Sequence, residues 1–403
     1  MGVIKFENDS FDIVITGGGV PALAGAVIFS KLGLKVLLVA RGFGKSVKKD
    51  TARKNISYAI SPSNIKLFER CGLKEEFFKI SEDVSEMHLF EDDSCLKLSS
   101  DLSPHGYLAK IVYHDNLYRL LVGATQSLKT FHSIDGSIDD IGYTANGQCR
   151  VRVLTGGKKS IRKIQANLLV VADGASSVSR HILKIPWGIK NYCQKAVLAN
   201  FSSALQPNIA RQWFSGDEVI ALLPTSKNSV SMVWSQNQLR AERLMREGKS
   251  RLRAELSRIL GTSIMAQIEI NSEMVSTPLS MMTVDKLVSR RIVLLGDSAH
   301  TVHPLAGLGL NIGLFDILTL VNEFEKEMQV DRPFDVGSSA ILGSYMRARL
   351  LKTRAIQSMI DTIKVGFSTG GYAAKFLRTK GMSILQQSDF FKRYIVKFAS
   401  SIL

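Results

Sequence analysis

Apolar positions along the 403-residue chain switch period several times, and each switch marks an expected element. Phe11-Asp12-Ile13-Val14-Ile15-Thr16 is a short apolar run that predicts a buried strand. Gly17-Gly18-Gly19-Val20-Pro21-Ala22 reads as a turn, residues 23–32 as a helix and 35–39 as a second strand. Residues 291–295 predict another buried strand, followed by a Gly- and Pro-containing loop and an apolar-periodic helix at 312–321. Between these ends, Ser61-Pro62 predicts a helix to about Cys71, with Ser61 as N-cap and Pro62 at the first position. Residues 85–100 read as strand and 112–126 as a helix with Leu117, Leu120 and Leu121 inward. Residues 150–154 and 159–164 flank Gly156-Gly157 as a hairpin. Strong alternation over 192–236, holding Trp213 and Trp234, predicts the main sheet of a second domain. A charged helix at 238–260 and a returning strand at 271–278 complete it.

The first switch carries chemistry. A strand, a glycine turn, a helix and a second strand make a βαβ dinucleotide fingerprint. Gly17 suits the tight turn, Gly19 admits a pyrophosphate, and Ala22 is small enough for helix–strand packing where a third glycine often stands. The second strand ends in Ala40 rather than an acid, leaving Arg41 either as an adenosine-side contact or as a solvated surface charge. The loop Gly296-Asp297-Ser298-Ala299-His300-Thr301-Val302-His303-Pro304-Leu305-Ala306-Gly307-Leu308-Gly309-Leu310-Asn311 supplies a matching second half. Its helix start offers unpaired N–H groups to phosphates or an electron-rich ring, and Asp297 suits a sugar-alcohol hydroxyl.

Composition narrows the class. Lys and Arg exceed Asp and Glu by 52 to 36, a net charge of +16. No zinc spacing or aromatic RNA-binding signature accompanies that charge, so an anionic membrane surface fits better than nucleic acid. Residues 351–403 carry nine Lys/Arg against Asp361 and Asp389. Within them, 390–403 reads as an amphipathic helix with Phe391, Tyr394, Ile395, Phe398 and Ile402 on one stripe. That stripe either packs on the rest of the protein or meets lipid. No run of eighteen uncharged apolar residues exists, and the first strand starts within about a dozen residues of Met1, leaving no expected span or secretory signal. Cys71, Cys95, Cys149 and Cys193 are far apart, as in a reducing compartment. His300 and His303 lack companions at ligand spacing, so no metal site is expected, and they are read as ordering the loop before Pro304 in preference to transferring protons.

Three motifs together resemble the group A flavoprotein monooxygenases of the para-hydroxybenzoate hydroxylase fold. They are the fingerprint, the stretch Ala172-Asp173-Gly174-Ala175-Ser176-Ser177-Val178-Ser179-Arg180, and the 296–311 loop. The run His300 to Gly307 is most similar to the ubiquinone-biosynthesis hydroxylases, and the likeness extends nearly end to end, including Thr51-Ala52-Arg53 and Phe376 to Met382. The resemblance implies an α/β fold: a Rossmann-like FAD-binding domain of parallel sheet and helices (1–80, 108–185 and 282–350). This is interleaved with a mainly antiparallel-sheet substrate domain (81–107 and 186–281) and followed by a C-terminal helical region (351–403).

It further implies FAD as cofactor, with NADPH or NADH as a transient reductant that needs no second fingerprint. Expected cofactor residues are Gly17, Gly19, Ala22, Arg41, Arg53, Asp173, Asp297, Pro304, Gly307, Gly309, Leu310 and Asn311. Arg53 is expected beside the flavin, Asp173 and Arg180 as organisers of the FAD domain, and Phe214 to Pro224 near the substrate; no catalytic base is assigned. The implied reaction is hydroxylation of a phenol, polyprenylated in the ubiquinone branch. The expected location is cytoplasmic, extending to the inner face of the cytoplasmic membrane. Other quinone-biosynthesis proteins are expected partners. Three departures stand against that branch: Ala22 for the third glycine, Tyr113-His114 where it tends to have Glu-Asn, and Leu308 where it has Gln. They keep two alternatives open: another flavoenzyme of the same fold acting on a different lipid or aromatic compound, or a non-catalytic subunit of a membrane-associated assembly.

Overall fold

The computed structural model describes residues 10–43, 55–156, 160–303, 308–331, 333–368, 381–382 and 384–402. Strand β1 (Ser10–Thr16), helix α1 (Val20–Lys31) and strand β2 (Val36–Ala40) open the chain, with β1 and β2 parallel. Helix α1 begins earlier than its apolar period suggests, because Pro21 sits in its first turn, where a missing N–H costs nothing. It is apolar nearly all round and almost wholly buried, the pattern of a helix covered on every side.

Next come β3 (Ser57–Ile60), α2 (Pro62–Arg70), α3 (Lys74–Lys79), β4 (Ser81–Val84), β5 (Glu86–Glu91), β6 (Ser94–Ser99), β7 (Ala109–Tyr113) and α4 (His114–Gln126). The expected start of α4 at Val112 is corrected. Val112 and Tyr113 end β7, where they pair with β3, and the helix begins at His114. Apolar residues at a strand–helix junction satisfy both periods, so the sequence alone misplaces the boundary. Leu117 and Leu121 are fully buried, as expected. Ser61 takes the N-cap position of α2, but its hydroxyl accepts from Asn64 Nδ2 at 3.0 Å rather than from a helix N–H.

Strands β8 (Phe131–Tyr143), β9 (Cys149–Thr155) and β10 (Ser160–Val171) form an antiparallel meander, followed by α5 (Val178–Ile182). Both long strands serve two partners. The first part of β8 lies parallel to β2, and the last part of β10 lies parallel to β1.

The middle of the chain forms β11 (Trp187–Ser203), β12 (Ile209–Ser215), β13 (Glu218–Ser226), β14 (Ser229–Asn237), α6 (Gln238–Leu260), α7 (Thr262–Met265), β15 (Ile268–Ile270) and β16 (Val275–Val284). It returns through β17 (Val288–Ser289), β18 (Ile292–Leu294), a 3-10 turn (Gly296–Ser298), β19 (His300–Thr301), α8 (Leu308–Met328), α9 (Ser339–Ser368) and α10 (Asp389–Ile402).

Two large sheets result. The first has a parallel centre of β8, β2, β1, β10 and β18, and its core joins α1 and α8 through Phe29 and Phe324. The second runs β19-β16-β11-β14-β13-β12-β5-β6 and is antiparallel except where β12 meets β5. Its core places Trp213, Trp234 and Phe201 against Leu252 and Leu256 of α6. A three-stranded sheet, β3-β7-β4, completes the fold.

The C-terminal stripe packs in part on the rest of the protein and is otherwise exposed. Val396 is buried and Ile395 half-buried against Leu96 and Leu98 of β6, while Phe391 and Tyr394 face outward, 47% and 62% exposed. The side chains of Phe398 and Ile402 lie outside the described residues. No helix among the described residues is long and apolar enough to cross a membrane.

Candidate functional site

The site grows from one edge of the first sheet. Gly17 N–H donates to Val39 O at 2.9 Å, Ala172 N–H to Thr16 O at 3.0 Å and Leu295 N–H to Val171 O at 2.9 Å. These bonds hold the C-terminal ends of β2, β1, β10 and β18 side by side, the edge where open α/β sheets bind ligands. Gly17 has φ +104°, and a Cβ there would lie 2.2 Å from Ala172 O, so only glycine lets the first turn touch the end of β10.

A cavity of about 1090 Å³ opens above this edge. It exceeds the ~300–1,000 Å³ usual for one small ligand, leaving room for a cofactor and a substrate together. The expected residues Gly17, Gly19, Arg41, Asp173, Asp297, Gly309, Leu310 and Asn311 all line it. Ala22 is buried behind the turn and does not reach the cavity. Arg53, Pro304 and Gly307 lie outside the described residues, as does the side chain of Leu308.

Several backbone approaches suit a flat nucleotide. A Cβ on Gly174 would meet nothing within 4 Å, one on Gly19 only Pro21 Cδ at 3.8 Å, and one on Gly309 only Val302 Cγ2 at 4.0 Å. Side chains at those points would project into the space a ligand needs. Helix α1 starts at this wall with no acid in its first turn, so its free N–H groups suit a pyrophosphate. The residues present therefore fit an extended dinucleotide.

Asp173 and Arg180 organise the loop as expected. Asp173 accepts from Ser177 Oγ and, at 3.0 Å, from Ser179 N–H. Arg180 is 1% exposed and donates to Ser298 O at 2.8 Å and Ala175 O at 2.6 Å, binding the β10 loop to the 3-10 turn. That turn presents Asp297, which lines the cavity and stays accessible from it. Desolvation there raises its pKa above the usual carboxylate value; His300 opposes the rise and Asp316 adds to it. A ligand hydroxyl or cation would offset that cost.

The Asn311 side chain is engaged within the protein. It donates to Ala59 O at 2.6 Å and accepts from Ser61 N–H at 2.9 Å and Asn64 Nδ2 at 3.0 Å. It ties the start of α8 to β3 and α2, and Asn64 Nδ2 also reaches the Asn311 carbonyl at 3.1 Å. His300 bonds Asp316 at 2.8 Å and His303 bonds Gln194 at 3.0 Å, so both histidines order the loop. Arg41 stands exposed on the cavity wall. Ala40 pairs in register with Asp135 of the neighbouring β8, whose carboxylate accepts from Gly42 N–H at 2.7 Å.

Within the stretch Phe214 to Pro224, Ala221 and Leu223 line the cavity, two apart as the pleat of β13 requires. Phe214 packs elsewhere, with Val219, Ile312 and Ile356. Sequence reasoning missed Gln212, a buried amide on the cavity side of β12, and Tyr58, whose hydroxyl meets His114 Nδ1 at 3.0 Å. Alternation along β12 signals Gln212; nothing local signals the pairing of Tyr58 with His114, 56 residues away.

Comparison with known proteins gives the same picture. A profile described as "FAD binding domain" matches residues 10–357. The ubiquinone biosynthesis monooxygenase COQ6, mitochondrial, of Danio rerio is 26% identical, covering 98% of this chain and 90% of that protein. The 3-demethoxyubiquinol 3-hydroxylase of Escherichia coli (strain K12) is 27% identical over 59% of this chain and 60% of its own. Among solved structures, p-nitrophenol 4-monooxygenase PnpA from Pseudomonas putida DLL-E4 superposes with a TM-score of 0.81 at 15% identity, covering 98% of both chains. At that identity the likeness speaks for the fold.

Proposed function

This chain belongs to the FAD-binding-domain family and is a flavin-dependent monooxygenase, and we propose that its substrate is a prenylated phenol of ubiquinone biosynthesis, with NADH or NADPH as the passing reductant. The observation that carries this reading is the continuity of the nucleotide cradle with an apolar chamber. Beyond Thr301 and Val302 the same cavity runs along the second sheet past Ala196, Leu198, Ala210 and Leu223 to Leu98. Three small alanines, Ala196, Ala210 and Ala221, keep that face wide enough for a bulky apolar chain.

FAD bound in the cradle supplies the electron transfer and oxygen activation. The chain's own residues hold and shield it. The first turns of α1 and α8 would meet its charged and electron-rich parts, Asp297 would take a sugar-alcohol hydroxyl, and the loop of Asp173 and Gly174 would line its side of the cavity. The apolar chamber excludes water, which would otherwise divert reduced oxygen into hydrogen peroxide. Gln212, Tyr58 and His114 are among the polar groups lining the cavity that would orient a phenol hydroxyl in a mostly apolar surround.

The outward face of α10 supports a position on an anionic membrane surface. Phe390, Phe391 and Tyr394 are exposed beside Arg393, while Val396 on the opposite face lines the cavity. A lipid-soluble substrate would then need only a short transfer from bilayer to chamber.

The test is NAD(P)H oxidation by the purified, FAD-loaded protein with a short-chain prenylphenol, the product read by mass spectrometry. Stimulated oxidation and a gain of one oxygen atom are expected. Oxidation that no prenylphenol stimulates would overturn the substrate assignment.

A further inference from the structure

Helix α9 carries a row of polar side chains at four-residue intervals: Tyr345, Arg349, Thr353 and Gln357, each at most 4% exposed. That spacing puts them on one helix face, which would ordinarily be apolar where it is buried. Three of them end on the loop that carries Asp297 or on the groups that hold it. Tyr345 Oη donates to Leu294 O at 3.2 Å, just before the 3-10 turn. Arg349 Nε donates to Asp316 Oδ1 at 2.6 Å, and Asp316 Oδ2 accepts from Gly296 N–H and His300 Nε2, both at 2.8 Å. Gln357 Nε2 donates to Thr301 O at 3.3 Å and to Met282 O at 3.2 Å. Arg349 also donates to Ile312 O at 3.2 Å and lies over the Phe315 ring, tying α8 to the same support.

The loop needs such help. Between β18 and α8 its described regular structure is one 3-10 turn of three residues and a two-residue strand, so much of its backbone must find partners elsewhere. Its front faces the cavity through Asp297, Thr301 and Val302; its back is held by α9. A buried Asp–Arg–His cluster often stabilises no better than apolar packing of the same volume, and here its hydrogen bonds converge on the loop that carries Asp297.

We infer that α9 is a splint for the cofactor loop and that Arg349 and Gln357 are positioning residues. They set the place of Asp297 and its neighbouring amides through Asp316 and Thr301, without reaching the cavity. This inference rests on the FAD reading above.

The experiment is titration of the apoprotein with FAD, followed by flavin fluorescence, alongside thermal melting. The variants are Gln357→Leu, Arg349→Met and Arg349→Lys, each with and without Asp297→Ala. Gln357→Leu, which removes no charge, should melt close to the parent yet bind FAD about 5-fold more weakly. Arg349→Met should lose about 10-fold or more, and Arg349→Lys should recover part of it. Because the splint acts through Asp297, the losses should be clearly less than additive with Asp297→Ala. If the parent binds FAD and Gln357→Leu binds it equally well, or if the losses add in full, the splint is only packing and the inference falls. A parent that binds no FAD would instead remove the cofactor reading and this inference together.

Discussion

Gly17→Ala probes the contact on which the cradle is built. The backbone there has φ +104°, a region that costs an L-residue about 1–3 kcal/mol. The added Cβ would lie 2.2 Å from Ala172 O, 2.7 Å from Ala172 C and 2.8 Å from Asp173 Cα. All three are backbone atoms, so no side chain can rotate away. The turn and the end of β10 must part by about 1 Å, an overpacking cost of ~1–3 kcal/mol beyond the dihedral strain. Gly33→Ala is the matched control: φ is +84° and nothing lies within 4 Å, so only strain applies. Urea unfolding of the two apoproteins should therefore differ by about 1–3 kcal/mol, with Gly17→Ala the weaker. FAD affinity should fall at least about 10-fold in Gly17→Ala and stay near the parent value in Gly33→Ala. Equal stability and equal FAD affinity in the two variants would refute the close approach of turn and strand.

Burial pushes the Cys71 and Cys149 thiols up to about 12, while Cys193 is exposed. Alkylation at pH 8 should therefore mark Cys193 first and leave Cys71 and Cys149 silent until the protein unfolds; rapid native labelling of either would contradict their burial. Burial pushes the Asp316 carboxyl up, but His300, Arg349 and the Gly296 N–H outweigh it and hold it below the usual value, as the hydrogen bond from Arg291 does for Asp335. Lowered folded values mean that these carboxylates stabilise at neutral pH and lose that contribution as pH falls below about 4. The urea midpoint should drop there, less steeply in Asp335→Asn, and identical pH profiles for the two would count against the Arg291 pairing. Asp297 works in the opposite direction: its raised value makes its charge unfavourable to the apoprotein at neutral pH, an effect that its access to solvent through the cavity keeps small. Apo Asp297→Asn should be the more stable protein at pH 7, with the gap closing toward pH 4; an apoprotein no more stable than the parent would contradict the desolvation. Replacing the exposed aromatics (Phe390→Ser, Phe391→Ser, Tyr394→Ser) should weaken sedimentation with anionic vesicles and spare FAD binding, whereas unchanged sedimentation would remove the membrane reading.

Local rules carried much of the fold. The fingerprint was legible because Gly17, Gly19 and the flanking strands each obey short-range constraints, and the structure joins those strands as expected. The hairpin around Gly156 and the charged helix α6 follow from the same kind of signal. Long-range choices were not legible. Asn311 could have pointed at a ligand, but Ala59, Ser61 and Asn64, brought close only by the fold, claim its amide. The polar face of α9 resembles a solvated surface in sequence, because polar residues four apart give no hint that a buried loop awaits them. The stripe on α10 was visible, yet its division between Ile395 inward and Tyr394 outward depends on where β6 lies.

If the ends of β1, β10 and β18 grip one FAD with Asp297 among its partners, titrating the purified apoprotein and its Asp297→Ala variant with FAD reveals it most directly. One saturable site per chain is expected in the parent, with an affinity ~10-fold or more lower in the variant, since a hydrogen bond to a charged group is worth ~1.5–3 kcal/mol. No saturable binding in the parent, or identical affinity in the two proteins, would contradict it.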